Sequence, residues 1–258
     1  MKALYLSCFI FIASMLLSCQ GRKSSSDASG ADAEPVIVAT TSWTAAYAKT
    51  AGAENIIILA PFEMEHPSEY ELRPGDISKL INAKVIIYAG YEVMTERLKK
   101  GLDIPQEKLL YVDTDYSYEK IEQSVMNIAA VLGTKDIARK NMLEIRRVFD
   151  EGRKEIERNN LSGQPVVVHR FQSSLIRELG LTPVALFGPA SPEASEIAAI
   201  SKIQTPLIID NIHNPVGQSF KEVLPTARYE QLLNFPGLEG TKTVTNVIRY
   251  NILRITEN

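Results

Sequence analysis

Apolar and polar positions along this chain follow two rhythms. Short β-branched runs at Val36–Ala39, Ile56–Ala60, Val85–Tyr88 and Leu109–Val112 read as strands. Between them, apolar residues recur at spacings of three and four. These predict helices from Trp43 to Ala51, capped by Ser42, and over Ile77–Asn82, opened by Asp76. Val93–Lys100 and Tyr118–Leu132 follow the same pattern and stop at Gly101 and Gly133. The rhythm then breaks. Thr134 to Asn159 is rich in Lys, Arg and Glu, with Gly152 its only Gly or Pro, and carries a stripe of Ile137, Met142, Ile145, Val148 and Ile156. At 1.5 Å per residue such a helix runs roughly 35 Å, long for a crossover and suited to a strut between lobes. Beyond it, strands at Val166–Val168, Val184–Leu186, Leu207–Ile209 and Tyr229–Leu233 alternate with helices near Ser173–Leu179, Pro192–Ile200, Val216–Leu224 and Val244–Thr256. The expected fold class is α/β: two lobes, each a mostly parallel sheet flanked by helices, joined by one long linking helix.

The N-terminus changes the picture. Lys2 precedes a nearly unbroken apolar run, Ala3 to Leu17. Its length, about 15 residues, falls short of the roughly 20 that span a bilayer and fits a signal-peptide core. Leu16-Leu17-Ser18-Cys19 resembles the bacterial lipobox. That resemblance implies cleavage before Cys19, acylation of its thiol and an exported protein anchored at the cell envelope, on the periplasmic side or the surface. The expected organisation is a signal peptide (1–18), a flexible Ser/Ala/Asp/Gly tether (19–34), an N-terminal lobe (35–133), the linking helix (134–160) and a C-terminal lobe (161–258). Both cysteines, Cys8 and Cys19, precede the lobes, which excludes a disulfide or a Cys-based zinc site within them. The net charge is −3 with both signs interspersed, so no basic stripe points to nucleic acid. A monomer is expected.

Candidate chemistry centres on three scarce histidines, His66, His169 and His213, each following a strand-like run. In open α/β sheets the loops past the carboxyl ends of the strands line the ligand crevice. Imidazole suits zinc, copper, nickel and iron; carboxylate suits manganese and other hard cations. His66, Asp113, His169 and His213 would make a mixed N/O metal site. Zinc takes such a set tetrahedrally, with bonds near ~2.0–2.2 Å. Asp210, Glu65 and Asn234 are candidate groups around those ligands, Asp210 as an acceptor that orients His213 or His169. Arg170, beside His169, either turns away along the strand or brings a guanidinium into the cleft, which would oppose a cation and favour an anion.

Ordered motifs carry a family resemblance. Val36-Ile37-Val38-Ala39-Thr40-Thr41-Ser42-Trp43, the stretch Ser68-Glu69-Tyr70-Glu71-Leu72-Arg73-Pro74-Gly75-Asp76, Asn127-Ile128-Ala129, Val167-Val168-His169 with Leu179-Gly180-Leu181, and Tyr250-Asn251 together resemble the zinc/manganese-binding solute-binding lipoproteins of ABC importers. The resemblance implies a helix-linked binding protein with its site between the lobes, an ABC permease as partner, attachment to the lipid bilayer through Cys19, and a divalent transition metal as cargo, zinc ahead of manganese. Of the family's ligand positions, the first falls on Ser68 with His66 two residues earlier. The second aligns with Asp113, the third matches His169 and the fourth falls near Asn234; His213 has no counterpart.

Three functions remain open on the sequence. The first is capture of a divalent transition metal for an ABC importer. The second is the same fold binding a metal chelate or small anion. The third is a surface lipoprotein with an adhesive or structural role and a degenerate cleft. Catalysis is not expected: no GxSxG, P-loop, HExxH or GxGxxG stands in its strand–turn–helix context.

Overall fold

Two all-parallel sheets of four strands organise the molecule, a computed structural model that describes residues 36–257. The expected signal peptide, Cys19 and the expected tether lie outside the described residues. The first sheet comprises β1 (Ile37–Ala39), β2 (Ile56–Ile58), β3 (Val85–Tyr88) and β4 (Leu109–Tyr111), in the order β2-β1-β3-β4. The second comprises β5 (Pro165–His169), β6 (Thr182–Phe187), β7 (Leu207–Asn211) and β8 (Arg228–Leu232), in the equivalent order β6-β5-β7-β8. The α/β, two-lobe reading is thus what the structure shows.

Period-two alternation explains the near-continuous apolar strands. Ile37, Val85 and Ile87 of the first sheet and Val166, Val168, Leu207 and Ile209 of the second enter one shared core. Their neighbours Val38, Ile86 and Tyr88 face a separate outer cluster, and Val167 and Ile208 face another. Both faces of each sheet are covered, as parallel strands require. Between the sheets lie α1 (Ser42–Thr50), α3 (Tyr118–Leu132), α4 (Lys135–Arg158) and α8 (Val244–Thr256), whose apolar faces fill the shared core. The linking helix α4 buries Ala138, Met142, Ile145, Val148, Phe149, Gly152 and Ile156, whereas Ile137, expected on its buried stripe, is half exposed. The described residues form one compact unit. None of their helices is long and apolar enough to cross a membrane.

The departures from expectation have local causes. α2 (Pro74–Asn82) begins three residues before Ile77, because Pro74 fits the first helical turn and Asp76 accepts the Arg73 N–H. The Val93–Lys100 segment closes as a five-residue π turn, Arg97–Gly101. α5 (Ser173–Glu178) and α6 (Ala194–Ile200) lie within their expected ranges. The segment from Val216 to Leu224 is helical only over α7 (Phe220–Val223), because Gly217 donates its N–H to Asp210 instead of entering a helix.

Candidate functional site

The loops that leave the carboxyl ends of the strands face one another across a cavity of about 480 Å³. After β1, Thr41 and Trp43 reach it from the start of α1; after β2, Pro67 and Ser68 do. Tyr91 follows β3, while Thr114 and Asp115 follow β4. The second sheet contributes Arg170 and Phe171 after β5, and Asn234 and Phe235 after β8. This is the crevice position of open parallel sheets, shared here by two of them.

Local hydrogen bonding holds each wall. Thr41 caps α1 by accepting the Thr44 N–H. Beside Tyr91, the buried carboxylate of Glu92 accepts from Thr40 Oγ1 at 2.6 Å, the N–H groups of Ala89 and Gly90, and Thr95 Oγ1. Asp115 accepts the Ser117 N–H at 2.8 Å and the Ser174 hydroxyl. The Leu233 carbonyl, just before Asn234, receives Tyr116 Oη, Gln172 Nε2 and Asn251 Nδ2, and Asn251 Oδ1 accepts the Leu233 N–H. Three side chains from three parts of the chain, through four hydrogen bonds, therefore aim one loop.

The expected metal ligands occupy different places. His169 ends β5 and is fully buried behind Arg170 and Phe171, not on the cavity wall. Its Nδ1 accepts the Phe171 N–H at 3.3 Å, and its ring stands edge-on to Phe187 at 5.6 Å. Gly188, at φ +72°, leaves room for it: a Cβ there would sit 2.4 Å from His169 Nε2. Burial lowers the His169 pKa, with Asp210 opposing and Arg170 reinforcing the shift. His213 is also buried. Its Nδ1 accepts the Asn234 N–H at 3.3 Å, and it stacks on Phe235 at 3.6 Å. Burial, helped by the charge of nearby His66, pushes its pKa down to about 4. In both rings Nδ1 uses its lone pair as an acceptor, which assigns the proton of the neutral form to Nε2. Neither Nε2 has a hydrogen-bond partner. Metal ligation through Nε2 requires moving that proton to Nδ1 and giving up the backbone bond.

His66 is exposed ahead of the 3₁₀ turn Pro67–Glu69, and Glu65 beside it is exposed too. Asp113 points along its own loop: its oxygens accept the Asp115 N–H at 3.1 Å and approach Lys120 Nζ at 3.4 Å. Asp115, two residues on, is the carboxylate that reaches the cavity. Asp210 is buried with its oxygens on the N–H groups of Asn211 and Gly217 and the hydroxyl of Tyr229, so its influence on His169 acts through space. Asn234 does line the cavity. Among the described residues no group of three or more His, Cys, Asp or Glu side chains is placed to hold a metal. Sequence reasoning missed Asp115, Trp43, Tyr91, Phe171 and Phe235. A signal existed for Asp115, since Asp113, Thr114 and Asp115 crowd one strand end. Arg170 takes the cleft-facing of its two expected orientations.

No protein-family model matches the sequence, and no curated protein sequence matches it either. Solved structures do match. The manganese-bound periplasmic metal-binding protein of Candidatus Liberibacter asiaticus aligns with a TM-score of 0.65 at 15% identity, covering 87% of this chain and 99% of that one. A cadmium-bound form of that protein gives 0.64 at 14% identity over the same shares. The solute-binding protein FpvC of P. aeruginosa, in complex with Ni2+, gives 0.69 at 16% identity, covering 86% of this chain and 95% of that one. The two-sheet, helix-linked architecture described above is thus the fold of periplasmic metal-binding solute-binding proteins.

Proposed function

We propose that this chain is the solute-capturing component of an ABC importer for a divalent transition metal, held at the cell envelope through acylated Cys19, with no catalytic step of its own. The observation that carries the reading is a cavity shared by the carboxyl ends of both parallel sheets, in a fold shared with proteins solved with manganese, cadmium and nickel bound. Asp115 takes the place that the sequence offered to Asp113. His169 and His213 lie behind the cavity wall, and imidazole favours zinc over manganese where either ring turns its Nε2 to the cargo. The lobes, 35–133 and 161–258, present their cleft-side surfaces to the permease.

Thermal unfolding of metal-stripped protein tests this. Zinc and manganese are titrated as free salts and as complexes with small carboxylates. A ligand that binds only the native state adds about 2.7 kcal/mol at 100 times its Kd, a readily measured shift in Tm. Stabilisation by zinc or manganese in either form is the expected result. If neither metal stabilises the protein in any form, the reading fails.

A further inference from the structure

We propose that the cleft takes its metal as a complex with a small carboxylate-bearing organic anion, and that Arg170 recognises that anion; this rests on the reading of the cleft as the cargo site. Four features of the site converge on this.

The first is the supply of donors. A transition-metal ion such as zinc is held by about four ligands. The cavity wall offers one carboxylate, Asp115, and no histidine; His169 and His213 lie behind it with their Nδ1 atoms bonded to backbone N–H groups. Its other polar groups are hydroxyls and the Asn234 amide, poor substitutes for carboxylate and imidazole. An organic partner would supply the missing donors.

The second is charge. Arg170 lines the cavity, and among the described residues it forms no ion pair. Its one hydrogen bond runs from Nε to the Gly188 carbonyl at 3.3 Å. That bond orients the guanidinium plane and leaves both Nη atoms for a ligand. A bare divalent cation in the same cavity would meet the like charge of the guanidinium. A carboxylate would meet a fork of donors shaped for two parallel bonds.

The third is size. About 480 Å³ far exceeds a metal ion and lies within the roughly 300–1,000 Å³ of small-molecule sites. The fourth is the wall itself. Trp43, Tyr91, Phe171 and Phe235 are among the residues that line the cavity. Such a lining suits the carbon skeleton of an organic ligand and does nothing for a hydrated ion. Asp115, which lines the same cavity and already accepts the Ser117 N–H and the Ser174 hydroxyl, keeps lone pairs that can add to the coordination of a metal so delivered.

Trp43 is the only tryptophan of the chain and lies on the cavity wall, so its fluorescence reports occupancy. Metal-stripped protein is titrated with zinc chloride, with picolinate and citrate, and with the zinc complexes of both; an aromatic and an aliphatic carboxylate bracket the class. The expected result is a saturable change with at least one zinc–carboxylate complex, and a much weaker response to zinc chloride. Arg170→Gln then weakens the response roughly tenfold or more, while Arg170→Lys, which keeps the charge and loses the fork, falls between. Arg170 is exposed, and circular dichroism checks that both variants fold. Three outcomes overturn the inference: zinc chloride alone binding as tightly as its complexes, Arg170→Gln binding as the parent does, or silence from every complex. If zinc or manganese, free or complexed, still stabilises the protein in those cases, the importer reading survives; if both metals are silent in every form, both readings fall.

Discussion

His213 shows how burial sets the behaviour of a single side chain. In an unfolded chain it titrates at 6.5, whereas the native pKa lies at about 4. Between those values the unfolded chain takes up a proton that the native ring refuses. Its contribution is therefore complete above pH 6.5, shrinks as the pH falls and is gone below about 4. At pH 5 the loss amounts to about 2 kcal/mol. Urea unfolding at pH 7.5 and pH 5 checks this with His213→Gln, which should lose about that much less stability than the parent between the two conditions. Equal losses would remove the argument. Burial acts on His169 in the same direction. The three histidines were legible as rare residues at strand ends. Which atoms of each ring are free was not, because Phe171 N–H and Asn234 N–H claim the Nδ1 atoms only once the loops are folded.

At the scale of elements, the sequence was most readable where one face of a long segment is buried. Tyr118–Leu132 and Val244–Thr256 match their expected bounds, and the 24-residue helix α4 falls within Thr134 to Asn159. Short segments were less readable, since one side chain accepting a backbone N–H can redirect them; the Asp210 bond to Gly217 shortens α7 in this way. Gly152 illustrates the difference between propensity and packing. On propensity alone, replacing a mid-helix glycine with alanine gains about 1 kcal/mol. Here a Cβ would lie 2.6 Å from Ile252 Cδ1 and 2.9 Å from Leu179 Cδ2, where α4 meets α8 and the end of α5. Overpacking of this kind costs about 1–3 kcal/mol and more for a branched side chain. Gly152→Val is expected to lower the stability by at least about 2 kcal/mol, read as a lower urea midpoint with little change in slope. A neutral or stabilising effect would show that the helices separate freely.

In the whole molecule, the two sheets are tied by more than the linking helix. Ser42 Oγ donates to the Pro236 carbonyl at 2.9 Å, Tyr116 Oη donates to the Leu233 carbonyl, and the Tyr118 N–H reaches Glu178. The shared core of α1, α3, α4 and α8 joins both sheets. Calorimetry should therefore record one transition, with calorimetric and van't Hoff enthalpies in agreement. Two separated transitions would mean that each half folds by itself. Alternating strand and helix patterns were enough to determine two parallel sheets and a long helix, because hydrophobic period and length are local properties of the chain. The membership of the cleft was decided only by tertiary structure. Residues as distant as Trp43, Asp115, Arg170 and Phe235 meet there through the strand order β2-β1-β3-β4 and its repeat, and no local pattern records which loops that order brings face to face. For the same reason Asp115 lines the cavity while Asp113 turns to Lys120: two residues of loop reverse which carboxylate points inward, and the packing around Ser174 and Ser124 makes the choice.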